Sequence, residues 1–165
     1  MDLYLLRHSD AADNGAHGFT RDADRPLTES GIEKMKKVAK AMRKLGLSFD
    51  TILSSPYRRA KETSEIVGEI LQCSSRIKLT PHLVVNGNLT ALVKEINEDY
   101  ARSKQLLLVG HEPVLTGLIS ILTSGHHDLS VRLRKGGLCK LSVDDLHVGK
   151  CATLEWLVGP SQLLT

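Results

Sequence analysis

The sequence predicts a three-layer α/β/α sandwich with a mostly parallel central sheet and a C-terminal β-hairpin. Three observations carry this reading. Short apolar runs, too short for helices, alternate with longer segments of helical periodicity. Three of those runs end in a polar cluster, and two of these clusters lead directly into a helix start. The end of the chain then holds two strand-like runs with no helix between them, as a hairpin requires.

Each element has its own justification. Leu3-Tyr4-Leu5-Leu6 is a short buried strand that delivers Arg7 and His8 to its carboxyl end. The stretch from Ser9 to Gly18 is rich in small and turn-forming residues and is followed by a charged run from Thr20 to Arg25. A loop of this length is unusual in a compact domain; such loops are usually functional or mobile, and this one could fold over a site at the first strand's end. Pro26-Leu27-Thr28 opens a helix with Ile32, Met35, Val38, Ala39, Met42 and Leu45 at helical spacing, Thr28 or Ser30 as cap and Gly46 as stop. Its lysines form a solvated face.

Thr51-Ile52-Leu53 is a second strand, and Ser55 before Pro56 predicts a capped helix with Pro56 at its first position. Ala60, Ile66, Val67, Ile70 and Leu71 mark its buried stripe. Ile77 to Thr80 is a weaker third strand, Pro81 to Asn88 a loop, and Leu89, Leu92, Val93, Ile96 and Tyr100 a helix beginning at Asn88. Gln105 to Gly110 is the clearest buried strand; it ends at His111-Glu112-Pro113, with a helix running on to Gly125. Leu138 to Val143 and Cys151 to Val158 are the hairpin strands, joined across Asp144 to Lys150.

Composition sets the bounds. With 165 residues, 41% hydrophobic and 25% charged, the chain is long enough for one good core and too short for two generous domains, so residues 1–165 are read as a single domain. A net charge of +3, with basic residues dispersed, points weakly to an anionic substrate. Only 4% of residues are aromatic, which argues against nucleic-acid binding. Cys73, Cys139 and Cys151 are odd in number and lack close spacing, as buried reduced thiols would. His17, His82, His126, His127 and His147 show no metal-ligand spacing and are read as surface residues. Met1-Asp2 leads straight into the first strand, and no apolar run approaches the length of a membrane span, so a cytoplasmic protein is expected.

The chemistry lies at the strand ends. Parallel strands point their carboxyl ends the same way, so Arg7-His8, Arg58-Arg59 and His111 would converge if their strands are neighbours. A guanidinium beside an imidazole suits an anionic phosphoryl group: arginine holds oxygens in its rigid fork, and neutral histidine can attack phosphorus. Arg58 and Arg59 occupy the first turn of a helix, where cations meet the positive end of the dipole, so stability alone does not explain them.

In these residues the chain resembles the histidine phosphatase superfamily, and within it the small SixA-like phosphohistidine phosphatases. The motifs fall in order: Leu-Leu-Arg7-His8; Asp24-Arg25-Pro26-Leu27-Thr28 with Gly31; Ser55-Pro56-Tyr57-Arg58-Arg59-Ala60 with Thr63; and Val109-Gly110-His111. The resemblance implies a phosphoglycerate mutase-like fold, His8 as phosphate acceptor, and Arg7, Arg59 and His111 as holders of the phosphoryl oxygens. Arg58 has a peripheral substrate-binding role at best, because the family's arginine directly precedes an alanine. No metal or other cofactor is implied. The partner implied is a protein carrying phosphohistidine, such as a phosphotransfer domain of a signalling or phosphotransferase chain, with neither nucleic acid nor membrane involved.

The chain departs from the family pattern twice. Ser9 stands where a glycine is usual and would either crowd the phosphate or add a hydroxyl donor to substrate binding. The loop from Pro81 to Asn88 lacks the carboxylic acid many members use to protonate an alkoxide, and Asp10 and Glu112 are the substitutes nearest the motifs. A missing acid is tolerable for a protonated imidazole leaving group and less so for a sugar hydroxyl. The alternatives are a small-molecule phosphomonoesterase of the same superfamily and a catalytically silent phosphate-binding regulatory domain.

Overall fold

The structure, a computed structural model, describes residues 1–15 and 18–165. Six strands form one sheet: β1 (Asp2–Arg7), β2 (Thr51–Ser54), β3 (Ile77–Leu79), β4 (Gln105–Gly110), β5 (Leu138–Val143) and β6 (Ala152–Val158). Their spatial order is β3-β2-β4-β1-β5-β6. The pairs β2–β3, β2–β4 and β1–β4 are parallel, while β5 runs antiparallel to both β1 and β6. The expected mostly parallel sheet finished by a hairpin is therefore the observed one.

The central strands are apolar on both faces because helices cover both faces. Leu3 and Leu5 of β1, with Leu106 and Leu108 of β4, pack in a core with residues of α3 (Leu89–Asp99) and α4 (Val114–Ser124). Tyr4 and Leu6, with Leu107 and Val109, face the opposite way, toward α1 (Glu29–Lys44) and α2 (Arg58–Ile70). Alternation along each strand thus assigns successive residues to two cores. A last short helix, α5 (Pro160–Leu163), was not foreseen in the sequence.

Helix ends follow their local chemistry, with instructive exceptions. Thr28 caps α1 by accepting the Gly31 N–H at 3.0 Å, and Gly46 follows that helix with φ of 73°. Leu45, expected in the α1 stripe, lies past the last helical residue and is 61% exposed. Asn88 caps α3, and Gly125 closes α4 in the left-handed region. The α2 start departs from expectation. Arg58 is its first residue and Tyr57 its cap, because the Ser55 hydroxyl instead accepts the Tyr57 N–H at 3.1 Å and Pro56 lies in the turn between.

All three cysteines are free thiols; Cys73 and Cys139 are buried and Cys151 is half-buried. His126, His127 and His147 are exposed and His82 is partly so, whereas His17 lies outside the described residues. Among the described residues no helix is long and apolar enough to cross a membrane.

Candidate active site

The topology reverses between β4 and β1: the chain leaves β1 toward β2 on one side and leaves β4 toward β5 on the other. Such a reversal opens a crevice at the carboxyl ends of the strands. Backbone pairing continues past those ends, with His8 N–H donating to Gly110 O at 3.1 Å and Ser55 N–H to Val109 O at 2.9 Å. The ends of three parallel strands are thereby locked side by side, carrying His8, Ser55 and His111.

His8 and His111 face one another with ring centroids 5.0 Å apart. The His8 Nδ1 lies 2.6 Å from Ser9 O. A carbonyl can only accept, so the network assigns the proton to Nδ1 and leaves the lone pair on Nε2. Arg59, held by the first turn of α2, donates through Nε to that Nε2 at 3.3 Å. Its backbone is fixed by Thr63, whose hydroxyl donates to Arg59 O at 2.7 Å and accepts the Ser9 N–H at 3.2 Å.

The far edge of the Arg59 guanidinium meets the long loop after β1. Nη1 donates to Asp22 O at 2.7 Å and Nη2 to Asp22 Oδ2 at 3.0 Å. Asp22 Oδ1 accepts in turn from Arg25 Nε at 2.9 Å. The loop therefore does close over the strand end, through a residue not singled out in the sequence. Its signal was the charged run itself, in which an acid sits three positions before an arginine.

Burial governs the ionisation here. His8 and His111 are 5% and 1% exposed, and desolvation is the main cause that pushes each down to about 3, with the Arg59 charge adding to it. Both rings are neutral at pH 7. Burial alone would raise the Asp22 carboxyl, but hydrogen bonding and charge from Arg59, with help from Arg25, hold it below the usual range. Burial also draws Arg59 below its ordinary value against the pull of Asp22, and the guanidinium stays a cation at neutral pH.

Two buried donors near His8 have no partner among the described atoms: Arg7 Nε and His111 Nδ1. Arg7 uses Nη1 on Leu133 O at 3.1 Å. His111 Nε2 lies 2.8 Å from Ser55 Oγ, which already accepts the Tyr57 N–H. The Ser55 hydrogen is thus available to His111 Nε2, an arrangement that leaves Nδ1 as the unpaired N–H of that ring. Buried unpaired donors are rare in native folds and mark places where an acceptor belongs.

The other sequence candidates stand apart. Arg58 is exposed and pairs with Glu62 at 2.8 Å on the outer face of α2, so it does not join this group. The Ser9 side chain is fully buried, and its single hydroxyl hydrogen goes to Gly31 O at 2.8 Å, which removes it as a donor to any ligand. Asp10 is ion-paired with Lys34, and Glu112 accepts from the Thr116 hydroxyl while its Oε1 stays buried without a partner. Ser55 was read in the sequence as a helix cap only, and its hydrogen bond to His111 was missed. Among the described residues, no group of three or more His, Cys, Asp or Glu is placed to hold a metal ion.

Two histidines and two arginines are gathered near the carboxyl ends of parallel strands, and the chain belongs to the histidine phosphatase superfamily. The sequence model of branch 1 of that superfamily matches residues 3–84. An uncharacterized protein of Picosynechococcus sp. is 36% identical over 86% of this chain and 84% of its own length. The phosphohistidine phosphatase SixA of Escherichia coli is 25% identical over 99% of this chain and 96% of its own. The solved structure of the protein histidine phosphatase SixA complexed with tungstate superposes with a TM-score of 0.85 at 24% identity, covering 99% of both chains, which shows the shared fold.

Proposed function

We propose that the chain hydrolyses protein phosphohistidine through a covalent phosphohistidine intermediate on His8. The observation that carries this reading is the His8 imidazole: its Nδ1 is held by Ser9 O and its neutral Nε2 lone pair lies beside Arg59. A nucleophile needs that state, and it needs it at physiological pH without prior loss of a proton.

The steps follow from this arrangement. His8 Nε2 donates its electron pair to phosphorus in line with the departing imidazole nitrogen. The P–N bond to the substrate breaks, and its electrons stay with an imidazole that carries its own proton. Arg7, Arg59 and His111 compensate the charge on the three non-bridging oxygens, where transfer of this kind needs placement and electrostatics above all. Water then attacks phosphorus, the bond to His8 breaks, and inorganic phosphate leaves. The arginines supply the positive charge this requires.

Two features favour a phosphoramidate over an ester. The loop from Pro81 to Asn88 offers no carboxyl, and the Asp10 carboxyl is engaged by Lys34. A protonated imidazole departs without an acid, whereas an alkoxide does not. The reading also draws support from similarity to a relative named as a phosphohistidine phosphatase. The site residues, the single-domain organisation, a cytoplasmic setting and a phosphotransfer-domain partner belong to the same proposal.

The test is trapping followed by comparison. Brief incubation with a radiolabelled phosphohistidine peptide and an alkaline quench, in which phosphohistidine survives, will label the wild type and not His8→Asn. Turnover of phosphoramidate and the phosphohistidine peptide will exceed that of p-nitrophenyl phosphate and sugar phosphates. Faster turnover of the esters selects the phosphomonoesterase, and absence of label from every donor selects the silent binding domain.

A further inference from the structure

On one side of the candidate active site several cationic side chains stand without carboxylate partners among the described residues. A cavity of about 610 Å³ opens against Arg7 and is lined by Lys34, Arg132, Arg134 and Lys135, with Asp10 as its carboxylate. Lys34 ion-pairs with Asp10, which cancels that carboxylate. Arg132, Arg134 and Lys135 are exposed, and among the described residues they make no ion pair or side-chain hydrogen bond. The dispersed basic composition of the sequence is thus resolved in the fold into a local excess beside β1.

The segment that carries these cations is fixed to the strand that carries His8. Gly136 N–H donates to Arg7 O at 3.0 Å and to His8 O at 3.2 Å, Arg7 N–H donates to Gly137 O at 3.2 Å, and Gly137 N–H closes a turn onto Arg134 O at 2.7 Å. Gly136 has φ of 74°, the left-handed region that favours glycine. Leu133, 2% exposed, anchors the segment between two exposed arginines and gives its carbonyl to Arg7. The backbone that carries the basic side chains is therefore fixed relative to His8, and the Lys135 charge reaches its ring.

Resting on the phosphohistidine reading, we propose that this cleft is the docking surface for an acidic segment of the phosphorylated protein, whose carboxylates flank the phosphohistidine. The chemistry fits separate carboxylates on a polypeptide. The cations are spread along an exposed rim as individual side chains, so they match several dispersed charges rather than one compact phosphate. The lining holds no aromatic residue on which a nucleic-acid base could stack. Rim charges of this sort raise the encounter rate and lower KM, with little influence on the chemical step.

The experiment uses two synthetic phosphohistidine peptides of equal length, one flanked by glutamates and one by glutamines, with the wild type and the double variant Arg132→Gln/Arg134→Gln. At low salt the wild type will prefer the glutamate peptide by about tenfold in kcat/KM, through KM, and the preference will fade as ionic strength rises. The double variant will lose the preference and keep its rate on the glutamine peptide within about threefold, the small effect expected of rim charges on chemistry. Binding of the fluorescein-labelled, unphosphorylated glutamate peptide, read by anisotropy, will weaken in parallel. Arg134→Gln alone, which leaves Arg132 in place, will show an intermediate loss.

Equal kcat/KM for the two peptides in the wild type, or a preference that survives in a folded double variant, overturns the docking surface. So does tighter binding of a single-stranded oligonucleotide than of the glutamate peptide. If neither peptide is turned over while p-nitrophenyl phosphate is hydrolysed, the phosphohistidine reading fails by itself. The anisotropy comparison still decides the cleft in that case.

Discussion

Arg59 bridges two partners of opposite character: its Nε donates to His8 Nε2 at 3.3 Å, while its Nη2 holds Asp22 Oδ2 at 3.0 Å. One planar guanidinium thus links the candidate nucleophile to the loop that closes over it. Lysine offers a single nitrogen and cannot make both contacts at once. Arg59→Lys is expected to lower kcat/KM by about a hundredfold, roughly 3 kcal/mol of transition-state stabilisation, and Arg59→Ala by more. Steady-state kinetics on phosphoramidate measures both. Wild-type kinetics for Arg59→Lys would remove Arg59 from the phosphoryl site.

Asp22 presents a carboxylate to the arginine that an anionic substrate also needs. Asp22→Asn keeps an acceptor for Arg59 and removes the negative charge, so inorganic phosphate should inhibit this variant at concentrations about threefold to tenfold lower than the wild type. Asp22→Ala keeps only the backbone contact at 2.7 Å and frees the guanidinium edge, so its kcat/KM should fall. Inhibition constants for phosphate, compared across the three proteins, check the sign. Weaker inhibition of Asp22→Asn would contradict the assignment.

The two histidines make stability depend on acid. An unfolded histidine takes up a proton near pH 6.5, whereas folded His8 and His111 resist it until about 3. Between these limits the unfolded state binds more protons, so folding stability is fully present above about pH 6.5 and is lost as pH falls toward 3. The slope is up to about 1.4 kcal/mol per pH unit for each histidine. Urea denaturation at pH 7, 5.5 and 4.5 should show a steeper decline in the wild type than in His8→Asn. Bound phosphate should flatten the decline, because a neighbouring anion favours the protonated rings.

Gly31 lets α1 approach the turn after His8. A Cβ there would meet Asp10 O at 2.2 Å, and the Gly31 carbonyl accepts the Ser9 hydroxyl at 2.8 Å. Gly31→Ala should destabilise the fold by about 1–3 kcal/mol, the usual range for overpacking, despite the better helix propensity of alanine. Ser9→Gly removes one buried hydrogen bond, worth about 1 kcal/mol, and leaves the kinetics within a few-fold. Thermal melts and phosphoramidate kinetics on both variants separate a packing role from a role in chemistry.

The sequence showed the strand ends more clearly than their surroundings. Leu3 to Leu6 and Gln105 to Gly110 were legible because strands covered on both faces are apolar throughout, and a parallel sheet aligns their ends. His8, the pair Arg58-Arg59 and His111 stood out because each follows such a run, and the family resemblance alone favoured Arg59 over Arg58. Ser55 was misread because a hydroxyl before proline looks like a helix cap, and nothing local indicates that His111, 56 residues away, takes part. Arg58 and Arg59 are adjacent in sequence, yet one is exposed on the outer face of α2 and the other is 2% exposed against His8. The helical turn separates neighbours by about 100°, and only packing decides which of the two faces inward.

By itself, then, the sequence determined the alternation of strands and helices, the hairpin, and which residues sit at the strand ends, since periodicity and turn chemistry are local properties of the chain. Only the tertiary structure decided that β4 lies between β2 and β1, that Asp22 reaches Arg59, that the Ser9 hydroxyl turns to Gly31, and that the basic segment after Leu133 lies against β1. Those contacts join residues far apart in the chain. Their selection depends on how two apolar cores are buried at once, a condition that no short window of residues contains.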